Sequence, residues 1–304
     1  MRRNQATKSA KSGWWLVCLA LELLLVNTVV GQDVSIRFEP ATREVVEERL
    51  KKYRGNDAER ERTLKGLFVE AGCGVKNILE QPVKGWPLPN VICTLSGSSD
   101  RTIIVGAHYD HISAGDGVAD NWSGASLLPS LYQALKAEPH RHTYIFVGFT
   151  EEEHGEIGSK FYVQQMTEEQ KDRTDAMVNM DTLGLAPTEY WQTYADRKLI
   201  GELRHIAGQM KLPIAAVDVE DVGSSDSVQF AAVNVPSITI HSLGQKTWDA
   251  HILHTKKDVI SVIRLDDYYE TYRLVGGYLA FLDYSTSTRE PVEKKSLRKS
   301  GRPD

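Results

Sequence analysis

Thr102-Ile103-Ile104-Val105-Gly106-Ala107-His108-Tyr109-Asp110-His111 is the stretch on which the fold turns. Its first six residues are an apolar, largely β-branched run of strand length, and the run breaks directly into two imidazoles and a carboxylate. The same layout returns downstream. Thr143 to Phe149 is a second strand-length run and feeds Thr150-Glu151-Glu152-Glu153-His154-Gly155-Glu156-Ile157-Gly158-Ser159, while Ala125 to Ala137 between the two has helical apolar spacing. A helix near Ser159–Gln165 follows, then a strand around Ala176–Met180 that ends in Asp181-Thr182-Leu183-Gly184. A helix at Asp196–Met210, a strand at Ser237–His241 and a long helix from Leu265 to about Asp283 complete the series. Strand and helix in turn predict an α/β fold: one domain with a mainly parallel, twisted sheet covered by helices on both faces. Upstream, Ala41–Tyr53 and Ala58–Ala71 read as amphipathic helices, the second ended by Gly72. The runs Val75–Glu80 and Val91–Leu95 are expected to pair antiparallel at the sheet edge, and no internal repeat is visible.

The chain has 304 residues, 41% hydrophobic and 25% charged, which supports one sizeable core and excludes disorder throughout. Its net charge of −5 is unevenly spread: residues 1–12 carry +4 and residues 285–304 carry +3, leaving −12 on the body between them. That excess argues against a nucleic-acid partner, for which a basic stripe is expected. It suits a protein that gathers carboxylates around bound cations.

Residues 14–30 are an apolar run behind a basic leader and before Gly31, the pattern of a signal peptide with the mature chain starting near Gln32. An uncleaved membrane anchor is the alternative, although the run is short for a span and carries Glu22. Either reading places the protein outside the cytoplasm, secreted or periplasmic, with membrane contact only if the segment stays. Cys18 would leave with the leader, so Cys73 and Cys93 remain as an even pair in an oxidising compartment and are expected to form a disulfide; two buried thiols are the alternative. From Ser285 to Asp304 the composition turns polar and basic, which reads as a solvated tail. The expected organisation is therefore a leader or anchor at 1–31, a catalytic domain at 32–284 and a tail at 285–304.

Ligands of such sheets gather beyond the carboxyl ends of the strands. There this sequence is rich in metal-ligand types: His108 and Asp110, then Asp120-Asn121-Trp122-Ser123-Gly124, the three glutamates at 151–153, Asp181, and the late His254-Thr255-Lys256-Lys257-Asp258. Taken singly, each is an ordinary polar residue. Acidic groups at successive strand ends are different, because crowding them in a concavity costs repulsion and desolvation unless cations neutralise them. Two imidazoles and three carboxylates match the mixed nitrogen and oxygen ligation of zinc, and one carboxylate shared by two ions would make a two-metal hydrolytic site.

Taken together, the motifs resemble those of the co-catalytic dinuclear zinc aminopeptidases of metallopeptidase clan MH. That pattern runs His-x-Asp, Asp-Asn-x-Ser/Ala-Gly, Glu-Glu-x-Gly-x-x-Gly-Ser, a strand-end Asp before a Gly, and a late His-Thr-x-x-Asp; all five occur in order over about residues 100–260. The resemblance implies a zinc-exopeptidase (phosphorylase/hydrolase-like) fold and two Zn2+ per chain. His108 and Asp181 would hold one zinc, Glu153 and His254 the other, and Asp120 would bridge them. Gly155 aligns the glutamate pair as Glu152-Glu153, which makes Glu152 the general base and leaves Glu151 outside. Asp110 matches the catalytic support that accepts the spare ring proton of His108; Asp226 and Asp258 are candidates for similar work. His111, His154, His241 and His251 are bystanders by default, His251 being the one most easily mistaken for a ligand. Trp122 and Trp248 are candidates for the walls of a side-chain pocket or for packing.

The implied reaction is removal of N-terminal residues from peptides bearing a free α-amine, with a hydroxide shared by the metals as nucleophile. A glutaminyl cyclase with one zinc is the nearest rival, a carboxypeptidase or amidase a third enzyme, and a non-catalytic binding ectodomain an alternative of another class. Asp120-Asn121-Trp122-Ser123-Gly124 and the complete Gly-Glu-Ile-Gly-Ser run after the glutamates favour the peptidase. Asn121-Trp122-Ser123 also fits a glycosylation acceptor, but its place beside Asp120 argues against modification.

Overall fold

The computed structural model describes residues 38–218 and 223–287. The apolar run at 14–30, Cys18, the leader or anchor they were read as, and the tail from 288 onward lie outside the described residues. Among the described residues no helix is long and apolar enough to cross a membrane.

Two helices open the body, α1 (Arg43–Leu50) and α2 (Asp57–Glu70). Asn56 starts α2 with a reciprocal cap: its side chain accepts from the Glu59 N–H, and Glu59 accepts from the Asn56 N–H. The run at 75–80 splits into a single turn and a strand β1 (Ile78–Gln81), which pairs antiparallel with β2 (Asn90–Leu95) at the sheet edge, as expected. Then come β3 (Thr102–His108), α3 (Ser123–Ala125), α4 (Leu127–Leu135), β4 (Thr143–Phe149), α5 (Ile157–Gln165), α6 (Glu168–Arg173) and β5 (Thr174–Met180). The remainder is β6 (Glu189–Trp191), α7 (Arg197–Met210), β7 (Ala215–Val217), α8 (Ser227–Ala231), β8 (Ser237–His241), α9 (Gln245–Asp249) and α10 (Leu265–Ser287). The last helix thus runs through Ser285–Ser287, which the sequence reading assigned to the tail. The strands lie in the order β1-β2-β4-β3-β5-β8-β6-β7.

The centre of the sheet is parallel, with β3 between β4 and β5 and β8 beyond β5, whereas β1, β2 and the β6–β8 pairing are antiparallel. Period-two alternation divides each central strand between two cores. Ile103, Val105, Tyr144, Phe146, Ala176 and Val178 face the larger core, under α4, α7 and α10, while Ile104, Val147, Phe149 and Met177 face a smaller one closed by Val163 of α5 and Phe230 of α8. From β3 the chain crosses to β4 on one side, and from β4 back past β3 to β5 on the other. This reversal is the switch point at which strand ends diverge and leave a crevice. Cys73 and Cys93 form the expected disulfide, tying the end of α2 to β2.

At the far end of the sheet, His142 is wholly buried between two carboxylates, with Nδ1 2.9 Å from Asp283 and Nε2 2.9 Å from Asp175. Asp175 also pairs with Arg101. Burial opposes a proton on His142, yet the two aspartates outweigh it and raise its pKa. Burial likewise opposes charge on Asp175, but His142 and Arg101 pull it down to about 2; Asp283 is lowered in the same way by His142 and nearby backbone N–H groups. The imidazolium therefore contributes its full stability below its unfolded pKa of about 6.5 and loses it as pH rises through the higher folded value. The carboxylates contribute above about 3.9 and lose it as pH falls. His142→Gln is expected to cost roughly 1.5–3 kcal/mol between about pH 4 and 6.5, with a narrowing difference above that range. Urea unfolding of both proteins across pH 4 to 9 checks this, and a difference that does not vary with pH contradicts it.

Candidate active site

The crevice collects side chains from consecutive strand ends. His108 is the last residue of β3, Glu151–Glu153 follow β4, and Asp181 follows β5. Asp120 sits in the irregular turn Val118–Trp122 that leads into α3, and His254 in the loop after α9. Gly124 lets that turn pack down on the sheet, because a Cβ there would lie 2.5 Å from the Met180 carbonyl oxygen. Glu151, Glu156, Thr182, His251 and His254 all have φ between 49° and 58°. Left-handed backbone of this kind is uncommon away from glycine and clusters at functional sites.

Two triads result. His108, Glu152 and Asp181 offer ligand atoms within 4.8 Å of one another, and so do Asp120, Glu153 and His254. Asp120 touches both: its Oδ1 lies 3.3 Å from Nε2 of His108 and its Oδ2 3.1 Å from Nε2 of His254. Nε2 of His108 is also 3.6 Å from Asp181 and 3.8 Å from Glu152, and His254 is 2.9 Å from Glu153. The sequence reading placed His108, Asp120, Glu152, Glu153, Asp181 and His254 in one site, and the fold brings all six together.

Their electrostatics are those of a site missing positive charge. Burial raises Glu152 well above the usual carboxylate range, and Asp181, Asp226 and Asp120 add repulsion that His108 only partly offsets. Burial raises Glu153 as well. Asp120 goes the other way despite burial, because the neighbouring His108 ring and a hydrogen bond from His254 hold it ionised. Those bonds with Asp120 and Glu153 lift His254 to about 10, and His108 is raised well above its ordinary value, burial being outweighed by Glu152 and three aspartates. Yet both ring nitrogens of His108 are buried without a well-formed hydrogen bond, and Oε1 of Glu153 has no partner. Orphaned donors and acceptors aimed at one another across 3 to 4 Å fit divalent cations, and imidazole with carboxylate is a zinc-type donor set.

The supports are built into backbone. Asp110 lies 3.5 Å from Nδ1 of His108 and accepts from the N–H groups of Glu152 and Glu153, so one carboxylate orients both the ring and the glutamate turn. Asp258 accepts from three successive N–H groups, Val118 at 2.9 Å, Ala119 at 2.7 Å and Asp120 at 3.0 Å. Asp226 is wholly buried, and neither of its carboxylate oxygens has a well-formed hydrogen bond. Buried one residue from the site, it is pushed up to about 7 by burial and repels Glu152, while its neighbour Ser225 donates to Asp181 at 2.5 Å. Ser225 was not anticipated, nor was Arg60, a wholly buried guanidinium that donates to the Asp116 and Gly117 carbonyls under the Asp120 loop. Asn121 is wholly buried and donates to the Met180 carbonyl, which removes it as a sugar acceptor in the folded chain.

Among the other histidines, His111 pairs with Asp57, and His154 pairs with Glu151, turning that glutamate away from both triads. Trp122 is core, with its N–H on the Arg49 carbonyl. Beside the triads opens a cavity of about 320 Å³ walled by Trp191, His241, Leu243, Trp248, Ile252 and His251. Trp248 is thus a wall of the pocket, and His251 lines it without joining either triad.

A family model described as peptidase family M28 matches residues 90–279, well over half of the chain. The chain belongs to peptidase family M28. Over 140 residues, 44% of this chain and 30% of the relative, it is 28% identical to the aminopeptidase YwaD of Bacillus subtilis. The chain spans between 19% and 36% of the length of such curated relatives. The fold matches that of the LapA aminopeptidase of Legionella pneumophila with a TM-score of 0.71 at 17% identity, covering 80% of this chain and 72% of that one. It matches an Acidobacteriales glutaminyl cyclase at 0.67 and 15% identity, covering 83% and 99%. M28 membership agrees with the motif reading, and the cyclase that shares the fold is the rival already considered.

Asp258 is the support most exposed to test. Asp258→Ala leaves three buried N–H groups at residues 118–120 without their acceptor. A loss of about 2–4 kcal/mol in unfolding free energy is expected, and zinc affinity should fall with it because the carrier of Asp120 loosens. Chemical denaturation and zinc titration measure the two; an unchanged zinc affinity contradicts the assignment.

Proposed function

We propose that this M28 chain is a two-zinc aminopeptidase that removes the first residue of peptides with a free N-terminus. One observation carries the reading: Asp120 presents a different carboxylate oxygen to each triad, within 3.3 Å of His108 on one side and 3.1 Å of His254 on the other. A single bridging carboxylate is what a paired-ion centre needs, and a one-metal site has no use for the second arm. In this reading His108 and Asp181 hold one zinc, Glu153 and His254 the second, and Asp120 both. When bound, the ions supply Lewis-acid charge that makes water nucleophilic near neutral pH.

The chain's own residues do the rest. Glu152 is the one glutamate of the pair not engaged with His254, and it lines the cavity. It takes the proton of the attacking water and returns it to the departing amine. Burial and its acidic neighbours raise its affinity for a proton, as a general base at neutral pH requires, and ions beside it would bring that back toward the working range. Asp110 keeps the His108 ring turned and the Glu152 turn fixed, so the base does not have to be reoriented in each cycle. The α-amine of the substrate would meet the acidic rim, and its side chain the cavity under Trp191 and Trp248. Export through the leader at 14–30 is part of the same proposal, as is the organisation into leader, catalytic body and basic tail.

Zinc-loaded protein is expected to bind two zincs per chain and to release 4-nitroaniline from aminoacyl nitroanilides. Glu152→Gln should keep both zincs while losing roughly 10²–10⁴-fold in kcat, whereas His254→Ala should lose one zinc. Elemental analysis and initial rates decide. One zinc with pyroglutamate as product would make the chain a cyclase, and chelated protein as active as the loaded form would end the metal reading.

A further inference from the structure

The reading above uses nothing from the connection between β1 and β2, although that loop reaches the glutamate turn. β2 runs antiparallel to β4 with Val91 opposite Gly148, so the residues before Asn90 lie at the same end of the sheet as the glutamates that follow Phe149. The loop at 82–89 is held there. Val83 is buried, the Trp86 N–H donates to the Val83 carbonyl at 3.1 Å, and the Pro89 carbonyl accepts from the Tyr109 hydroxyl at 2.7 Å. Asn90 accepts from the Thr150 N–H and donates to the Gly158 carbonyl, which fixes the loop against both ends of the glutamate segment. Pro82, Pro87 and Pro89 leave it few backbone conformations. Within it Trp86 sets its ring 5.2 Å from that of His154, the residue after Glu153, at a tilt of 40°. His154 is held in turn by Glu151, 2.9 Å from its Nδ1. Both rings are open to solvent, Trp86 being 36% exposed and the His154 side chain 58%.

We infer that Trp86 and His154 form a subsite for the part of the peptide beyond the scissile bond, and that through Trp86 the chain favours peptides with an aromatic side chain there. The inference rests on the aminopeptidase reading, which puts the first side chain in the cavity under Trp191 and Trp248. That cavity lies on the β6 and β8 side of the triads, whereas β2 and its loop lie on the far side of β4. A side chain and a carbonyl carbon leave one Cα in different directions. A first residue seated in the cavity with its carbonyl at the triads therefore sends the rest of the peptide toward β2. Consecutive Cα atoms lie about 3.8 Å apart, so with the reach of the side chains the Trp86 ring stands within roughly 17 Å of the Glu153 carboxylate, a span that an extended peptide crosses in about five residues. A ring already fixed in place loses little freedom when a second ring packs on it, and aromatic pairs are worth more than the area they bury. A methyl group at the same position covers little of either ring.

The experiment measures release of free leucine by the zinc-loaded chain from three kinds of substrate: leucinamide, which is too short to reach Trp86, the hexapeptide amide Leu-Ala-Ala-Ala-Ala-Ala, and its versions with Phe at each of the later positions in turn. At least one Phe peptide is expected to exceed the alanine peptide by about fivefold or more in kcat/KM, through KM and not kcat, because the contact is the same before and during bond cleavage. Trp86→Ala should abolish that advantage and Trp86→Tyr keep most of it, with the leucinamide rate unchanged in both. A leucinamide rate that falls along with the peptide rates would make Trp86 a prop of the glutamate turn and overturn the inference. A Phe series no better than alanine, or an advantage that survives Trp86→Ala, overturns it as well and leaves the aminopeptidase in place. A chain that releases leucine from none of these substrates removes the aminopeptidase reading and the subsite with it.

Discussion

Carboxylates packed at the carboxyl ends of parallel strands repel one another, and the crevice around His108 is shaped by that repulsion. Asp120, Glu152, Glu153 and Asp181 lie on the wall of one cavity, while Asp110 and Asp226 are buried close behind it. No arrangement of the chain alone satisfies them. Burial raises the proton affinity of Glu152 and Glu153, and the surrounding carboxylates raise that of His108 and His254. An excess of −12 over the body of the sequence is the same fact at lower resolution.

Holding like charges in register requires rigid carriers, and the carriers here are backbone. Asp258 binds three consecutive N–H groups of the Asp120 turn, and Asp110 binds two of the glutamate turn, so these two carboxylates organise segments that face the cavity. Asn121 joins these segments to β5: its side chain donates to the Met180 carbonyl and accepts from the Thr182 N–H, on either side of Asp181. Arg60 is a buried positive charge whose guanidinium donates to carbonyl oxygens under the Asp120 loop, which holds the loop in place.

How much of this could be read from the residues alone follows from the length scale of each signal. β3, β4, β5 and β8 are strands of five to seven residues, most of them apolar or β-branched, so both their existence and the polar residues beyond them were legible, and with them His108, Glu152, Glu153 and Asp181. Asp120 and His254 lie in irregular turns with no periodicity, and only the motif spacing placed them. β6 and β7 have three residues each, too few for alternation to register, so nothing in the sequence set Trp191 beside His241 in the cavity wall. Ser225 and Asp226 are adjacent residues, and only the turn into α8 determines which of them reaches Asp181. The hydroxyl of Ser225 is the one that does, and it donates a proton to that carboxylate.

The division of labour across the sheet follows from the same topology. The residues of the two triads come mostly from the ends of β3, β4 and β5 and the turns beyond them, whereas the wall of the adjoining cavity comes from β6, β8 and the segment around α9. These two sets share the hydrogen bond from the Asp181 N–H to the Ile240 carbonyl, which fixes the distance between them. A change of wall residue at Trp191 or Leu243 therefore leaves the charge arrangement intact, whereas a change in the Asp120 or Glu152 turn disturbs groups held only by mutual compensation.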